Sequence, residues 1–461
     1  MKKSLVVTTG VAGLLSLLAG SSMAGPDVIV GDLMDISRWG ATGGITAYSV
    51  GTISCNIGDQ NLLWVAGTNQ HPVIGQNMFR LKNGRFEQVG QSWLKHGFLA
   101  LTDSLCGSCS GQGGSVLGVG CSDPYGSGLN GDQGGLGPKF QVNATNGVFS
   151  YPFVGQGQTG SVIYKRLQVQ TDDINPSLNA GAMYFVEGQY VTQDDAGAGN
   201  ALNNASHRRI NIPSVSATPS FVGETRRERP AIDAWLDNDS TVVLVPLIYN
   251  ELNSDRQAGK FVVGAKVTDN GDGTWTYEYA IHNLNSHRSA RVVSMPTPCG
   301  VSLSQIGFHD VPYHSGEPFD GTDWAASHAG DNISWSTQTF TENANANALR
   351  WGTLYNYRFV ANSAPNAAGS VQLTLFRPGA VGEADVLTAS NIPTPGPRAC
   401  RANFDGIGGV GSADITAFLG AWFADLTGGT TVADFDCSGG VGSADITAFL
   451  NTWFANLAGG C

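Results

Sequence analysis

Short apolar runs broken by turn-forming residues make up most of the chain, and only near its end does the apolar spacing change from that of strands to that of helices. Over residues 25–225 the runs are brief. Leu62-Leu63-Trp64-Val65, Gly97-Phe98-Leu99-Ala100-Leu101 and Tyr184-Phe185-Val186 stand between clusters of Gly, Asn, Ser and Pro, which predicts short strands and loops. The stretch 107–137 is too rich in glycine for a helix, and its cysteines predict covalent ties in place of an apolar core. Over 226–390 the pattern sharpens. Residues 242–249 and 260–267 are apolar runs, and 274–282 alternates, with Trp275, Tyr277, Tyr279 and Ile281 on one face and Thr276, Glu278, Ala280 and His282 on the other. Asp269-Asn270-Gly271-Asp272-Gly273 between the last two is a hairpin turn, because Asn and Gly accept positive φ. Further strands are predicted at 291–295, 333–336, 355–360 and 370–376, a spacing that argues for an antiparallel β-sandwich.

Residues 391–399 contain NIPTPGP, whose prolines predict an extended, semi-rigid linker. After it one sequence is written twice. The block GGVGSADITAFL recurs without change at an offset of 31 residues, within 403–426 and 434–457. Each copy ends in apolar residues at helical spacing, Ile415, Phe418, Leu419, Trp422 and Phe423, then Ile446, Phe449, Leu450, Trp453 and Phe454. These two faces are expected to bury each other. The fold class is therefore mainly β: a glycine-rich irregular N-terminal region, an antiparallel sandwich and a small all-α C-terminal module.

Ahead of each predicted helix the oxygen-bearing residues have the spacing of a calcium loop. Such a loop takes side-chain oxygens from positions 1, 3, 5 and 12, a carbonyl from position 7, and glycine at position 6 for the turn. In the second copy these are Asp434, Asp436, Ser438, Asp445, the carbonyl of Gly440, and Gly439. In the first they are Asn403, Asp405, Ile407, Asp414, the carbonyl of Gly409, and Gly408. Ile407 has no oxygen to give, and the first loop holds two carboxylates against three, so the second is expected to bind Ca2+ more tightly. As plain turns of a helical hairpin these residues would carry no ion, but duplication of the whole ligand spacing favours a metal role. No helix is predicted before either loop, so the unit is a loop-helix repeat.

On these residues segment 400–461, with Val410 and Val441 at loop position 8 and Asp at position 12, resembles the dockerin family, modules that plug secreted proteins into a cohesin receptor. Cys400 just before the first loop and the terminal Gly460-Cys461 resemble a dockerin subgroup found as a C-terminal anchor on diverse exported proteins. The resemblance implies Ca2+ as cofactor and a cohesin-like or cell-surface receptor protein as partner. It also implies partner contact through the pair before position 12, Ser412 and Ala413 in one copy and Ser443 and Ala444 in the other. The chain departs from the family at Ile407 and at Gly411 and Gly442, loop position 9, where the family often has Asn. Cys400 and Cys461 bracket the module, and a bond between them would add roughly 4 kcal/mol by closing its ends. Cys437, at loop position 4, is either free or paired with the odd one among Cys55, Cys106, Cys109, Cys121 and Cys299.

At the other end, Lys2 and Lys3 precede an apolar run over 5–18, and Ser22-Met23-Ala24 offers small residues for cleavage, so 1–24 reads as a signal peptide and the expected location is secreted, extracellular or cell-surface. No later stretch is long and apolar enough to predict a membrane span. The 461 residues carry 25 Lys and Arg against 37 Asp and Glu. Without a basic patch, nucleic acid is excluded as a partner. Charged residues are only 13% of the chain while glycines number 62, which suits turn-rich β structure outside cells.

The body offers two constellations. Segment 308–324 packs His309, Asp310, His314, Glu317, Asp320 and Asp323 together, a density that can bind metal or supply a general acid and base, or can simply be a polar loop between strands. His96 with Cys106, Cys109 and Cys121 reads as disulfides before metal in an exported protein. No GxSxG, HExxH or phosphate loop occurs. The leading expectation is an anchored binding or structural protein. The alternatives are a secreted polysaccharide-acting hydrolase using the 308–324 carboxylates, and an adhesion or lattice component; the exposed-aromatic reading of Trp275 and Tyr277 would add a sugar-stacking surface.

Overall fold

The computed structural model of the chain describes residues 24–398 and 400–459. Residues 1–23 of the expected signal peptide, and Cys461 of the expected bond with Cys400, lie outside the described residues. The chain is mainly β and ends in a small helical module, as its patterning predicts.

The N-terminal unit is built on one antiparallel sheet. Its strands lie in the order Val28–Thr42, Ile45–Asn56, Leu167–Gln170, Arg85–Gln91, Val73–Lys82, Met183–Val191, Ala205–Asn211 and Ser220–Arg226. The first two form a hairpin turned at Gly43 and Gly44, both at positive φ (61° and 82°), where a side chain would be strained. The glycine-rich stretch folds back onto this sheet as Ser122–Tyr125, paired with Ile45–Asn56, followed by the single helical turn Ser127–Asn130. Its ties are covalent, as expected: Cys55–Cys106 and Cys109–Cys121 are disulfides.

The predicted sandwich is two five-stranded antiparallel sheets. One runs Val243–Glu251, Gln257–Asp269, Trp275–Asn283, Thr353–Ala361, Leu303–His309, the other Ala325–Ala329, Asn332–Ser336, Ala290–Pro296, Ser370–Leu375, Val386–Ser390. The hairpin turn forms where it is predicted, with Asn270 N–H donating to the Thr274 carbonyl at 3.0 Å. Tyr277, Tyr279 and Ile281 enter the core between the sheets, against Val293, Trp335 and Leu373. Tyr277 is therefore core and not a sugar platform, while Trp275 packs partly buried beside it. The opposite face of the same strand is buried as well. Ala280 joins Phe79, Phe86 and Phe185 of the N-terminal unit in one apolar cluster, and His282 is fully enclosed beside Phe79. Arg85 spans the junction to Glu278 with bonds of 2.8 and 2.6 Å, and the Asn356 side chain donates to the Phe86 carbonyl. A sheet apolar on one face and polar on the other is thus covered on both: Glu278 and Asn356 meet hydrogen-bonding partners across the junction, while His282 is enclosed with neither ring nitrogen hydrogen-bonded.

The proline-rich segment is extended but is not a free spacer. Thr394–Pro395 pairs with Pro365–Asn366, Tyr279 Oη donates to the Pro393 carbonyl at 2.8 Å, and Gly396 N–H donates to the Ala364 carbonyl. Proline removes a donor from the chain but leaves its carbonyl to accept. Beyond it the module is fastened a second time. Cys437 is disulfide-bonded to Cys299 of the sandwich, and the Arg401 guanidinium lies 3.9 Å over the Phe435 ring. Of the two fates open to Cys437 in the sequence, pairing with the body is the one realised, so the module is not a detachable connector.

Candidate metal centre

Each repeat is a loop followed by a 17-residue helix, Ser412–Gly428 in the first and Ser443–Gly459 in the second. The first helix starts where Gly411 stands at the cap with its N–H given to Asp414 Oδ2 at 2.7 Å; Gly442 N–H meets Asp445 Oδ2 at 2.7 Å in the second. The other oxygen of each carboxylate accepts a loop N–H, Asp405 to Asp414 at 3.1 Å and Asp436 to Asp445 at 2.9 Å. Asp414 and Asp445 thereby close their loops onto their helices while almost fully buried, each 1% exposed. Burial works against the ionised form of Asp414, but the N–H groups of Gly411 and Asp405 outweigh it and hold its carboxyl below the usual range.

In the second loop Asp434, Asp436 and Asp445 converge, with one oxygen from each lying within 4.8 Å of the others. Three like charges at this separation repel unless a cation or protons intervene. Hydrogen bonds from Ser438 hold the Asp436 carboxyl below its ordinary value, which keeps it ionised at neutral pH. The Ser438 hydroxyl reaches the Gly440 carbonyl at 3.2 Å, so positions 5 and 7 face the same space. Gly439 takes φ 88°, the left-handed turn that position 6 demands, and its N–H donates to Asp434 Oδ2 at 2.9 Å. The oxygen donors present fit a hard divalent cation such as Ca2+, which Asp434, Asp436, Ser438, the Gly440 carbonyl and Asp445 would hold.

The first loop keeps the frame and loses part of the charge. Asn403 Nδ2 donates to the Gly408 carbonyl at 2.7 Å, leaving Asn403 Oδ1 buried with no hydrogen-bond partner. That orphaned oxygen is at ligand position 1. Ile407, at position 5, points outward and is 77% exposed. Asp405, Asp414 and the Gly409 carbonyl complete the reduced set.

The helix faces pack together as expected except at one position in each: Ile415, Leu419 and Trp422, with Ile446, Leu450 and Trp453, pack around the core of the module. Phe418 and Phe449 are fully buried and stack, but Phe423 and Phe454 are 63% and 62% exposed. The buried stripe of the first helix is Asp414, Phe418 and Asp425, and Phe423 lies about 140° around the helix from Phe418. Two buried aspartates, invisible to apolar periodicity, set this stripe; Asp425 accepts from Ala433 N–H at 2.6 Å and from the Thr430 hydroxyl. The repeats clasp reciprocally, Trp422 Nε1 donating to the Gly442 carbonyl and Trp453 Nε1 to that of Gly411, both at 2.8 Å. Ser412, Ala413, Ser443 and Ala444 are all exposed at the helix starts. Phe423 follows Ser412 by roughly three turns and so shares its side of the helix.

In the body, the carboxylates and imidazoles of 308–324 are dispersed: Glu317 and His314 bond across the junction to the N-terminal unit, Asp310 and Asp320 bond within the sandwich, His309 Nε2 is buried with no hydrogen-bond partner, and Asp323 is exposed. Glu317 accepts the N–H groups of Lys139 and Phe140 at 2.6 and 3.2 Å, and burial pushes its carboxyl up to about 7. His314 Nε2 meets the Gln91 carbonyl at 2.7 Å, Asp320 accepts from Asn343 at 2.8 Å, and Asp310 accepts from Asn347. His96 is paired with His71 at 2.9 Å and stacked on Phe153, apart from the disulfides of its neighbouring cysteines.

No family model matches the chain, and no curated protein matches it. Among solved structures it is similar to the N-terminal domain of the adhesin Sgo0707 of Streptococcus gordonii, at 9% identity over 82% of this chain and 97% of that one, with a TM-score of 0.18. It is also similar to the exo-chitosanase CsxA of Amycolatopsis orientalis, at 9% identity over 74% of this chain and 25% of that one, with a TM-score of 0.14.

Proposed function

We propose that this is an exported protein that binds Ca2+ through a dockerin-like C-terminal module and docks by that module to a cohesin-like or cell-surface receptor, with the β body as a binding or structural unit. The convergence of Asp434, Asp436 and Asp445 in a duplicated loop of calcium spacing carries the reading. Bound Ca2+ supplies positive charge and a coordination centre that neutralises the carboxylates. The chain's own residues do the rest: Asp445 links loop to helix, and Ser438 and Gly440 shape the remaining wall.

The docking part rests on the outer surface. Exposed Phe423 and Leu426 recur as exposed Phe454 and Leu457, on helices whose first residues are the exposed Ser-Ala pairs. Repeated large apolar side chains left in water mark an interaction site. Two disulfides in the N-terminal unit and one to the module suit an oxidising, extracellular setting. Among the described residues no helix is long and apolar enough to cross a membrane.

Calorimetric titration of the full chain with Ca2+ after chelator treatment tests the metal claim. Heat of binding is expected, reduced in Asp434→Ala and Asp445→Ala; a flat titration overturns it. Capture of cohesin-type receptors by the full chain, dependent on Ca2+, tests the docking claim. The hydrolase alternative keeps only the acidic segment 308–324, of which Glu317 and His314 are taken up by bonds across the junction, and release of reducing ends from polysaccharide would restore it.

A further inference from the structure

Between the N-terminal unit and the sandwich lies a narrow cavity whose walls include Arg350, Arg377, Lys139 and His287 but no carboxylate. In a chain of net charge −12 this is an unusual concentration of positive groups. Arg350 is 5% exposed, and its guanidinium lies 3.5 Å over the Phe319 ring. One of its terminal nitrogens donates to the carbonyls of Ala344 and Ala346 at 3.1 and 3.0 Å. Its Nε, and the Nε of Arg377, are buried with no hydrogen-bond partner.

None of the ion pairs among the described residues includes Arg350 or Arg377. The acidic groups that feel them at longer range are Glu317, Asp320 and Glu251. Glu317 is committed to Lys139 and Phe140 N–H, Asp320 to Thr322 N–H and Asn343, and Glu251 to Thr145, Tyr249 and Ser286. His287 cannot balance the charge either. Burial first, then the fields of Arg377 and Arg350, push its imidazole down to about 3, so it stands neutral. Buried charges are normally paired, and buried N–H donors normally find acceptors.

We propose that this cavity is a binding site for a single halide ion, chloride in the protein's ordinary surroundings, held by Arg350 and Arg377. Its volume of about 20 Å³ admits a water-sized or monatomic guest. A tetrahedral oxyanion is too bulky. A halide accepts from N–H donors in any direction and carries one negative charge. Because residues of both β units line the cavity, ion binding is coupled to their junction.

Thermal unfolding of the full chain, at saturating Ca2+ and constant ionic strength, tests this. Raising chloride from roughly 1 to 100 mM against gluconate is expected to raise the melting temperature by about 3 °C, bromide acting alike. Arg377→Gln is expected to remove the difference between anions. A bromide-soaked crystal of the wild-type chain should show an anomalous peak between Arg350 and Arg377, a measurement that does not depend on the variant folding. Equal melting in chloride and gluconate with no bromide peak there overturns the site. Equal stabilisation by acetate and chloride overturns the halide assignment.

Discussion

Phe418 and Phe449, 31 residues apart and equivalent in the two repeats, stack face to face with ring centroids 4.2 Å apart and planes 2° from parallel. They are the centre about which the module is built, with Phe404 and Phe435 meeting them edge-on. Removing either ring is expected to cost the module about 3–5 kcal/mol. Circular dichroism of Phe418→Ala should lose the helical signal at lower denaturant than wild type, while the β signal of the body keeps its midpoint.

The two loops should differ in calcium affinity. Position 5 of the first carries Ile407 with its side chain in water, so Ile407→Asp adds a carboxylate without disturbing a packed core. A tightening of roughly tenfold or more at the weaker site is expected in calorimetry. An unchanged weaker site would mean that the first loop is closed to metal by its backbone.

Phe423 and Phe454 can be told from core residues by substitution. Changing both to Ser should shift unfolding free energy by no more than about 0.5 kcal/mol, as for ordinary surface positions, while weakening receptor capture. A loss of several kcal/mol would place them in a core instead.

The stability that Asp195 and Glu317 contribute to the body should fall as pH rises from about 4 to about 8, while His96, His282, His287 and His314, pushed down by burial, act the other way below pH 6.5. Burial lifts the Asp195 carboxyl from 3.8 to about 8 and the Glu317 carboxyl from 4.5 to about 7. Between its unfolded and folded values each group binds more proton in the native state, so raising pH through that window favours unfolding. Asp195→Asn, which keeps the shape beside Val28 and Asn204, should shift the slope of melting temperature against pH in the positive direction across that window. A slope unchanged in the variant would assign the pH dependence elsewhere.

Strand positions in the sandwich were legible because each obeys a local rule: 274–282 alternates, and Asn270 and Gly271 make a turn wherever they stand. The convergence of Asp434, Asp436 and Asp445 was legible because the three are close in sequence and the loop is repeated. What escaped is what depends on distant or polar partners. Asp425 looks like a surface residue of an amphipathic helix until Ala433 N–H comes to it, and that one burial turns Phe423 outward. Cys299 and Cys437 are separated by 138 residues with no pattern to join them. Arg350 and Arg377, both of the sandwich, face a cavity that Lys139, Phe140 and Val142 of the N-terminal unit complete.

The Cys299–Cys437 bond also decides where tension runs. A pull on the second repeat helix by a tethered receptor, resisted at the N-terminal unit, is carried covalently from residue 437 straight to residue 299. Everything from 300 to 436, including six of the ten sandwich strands, the proline-rich segment and the whole first repeat, sits inside the closed covalent ring and is shielded from that load. The module can be pulled without its second acidic loop, which holds Cys437, being dragged away from the body.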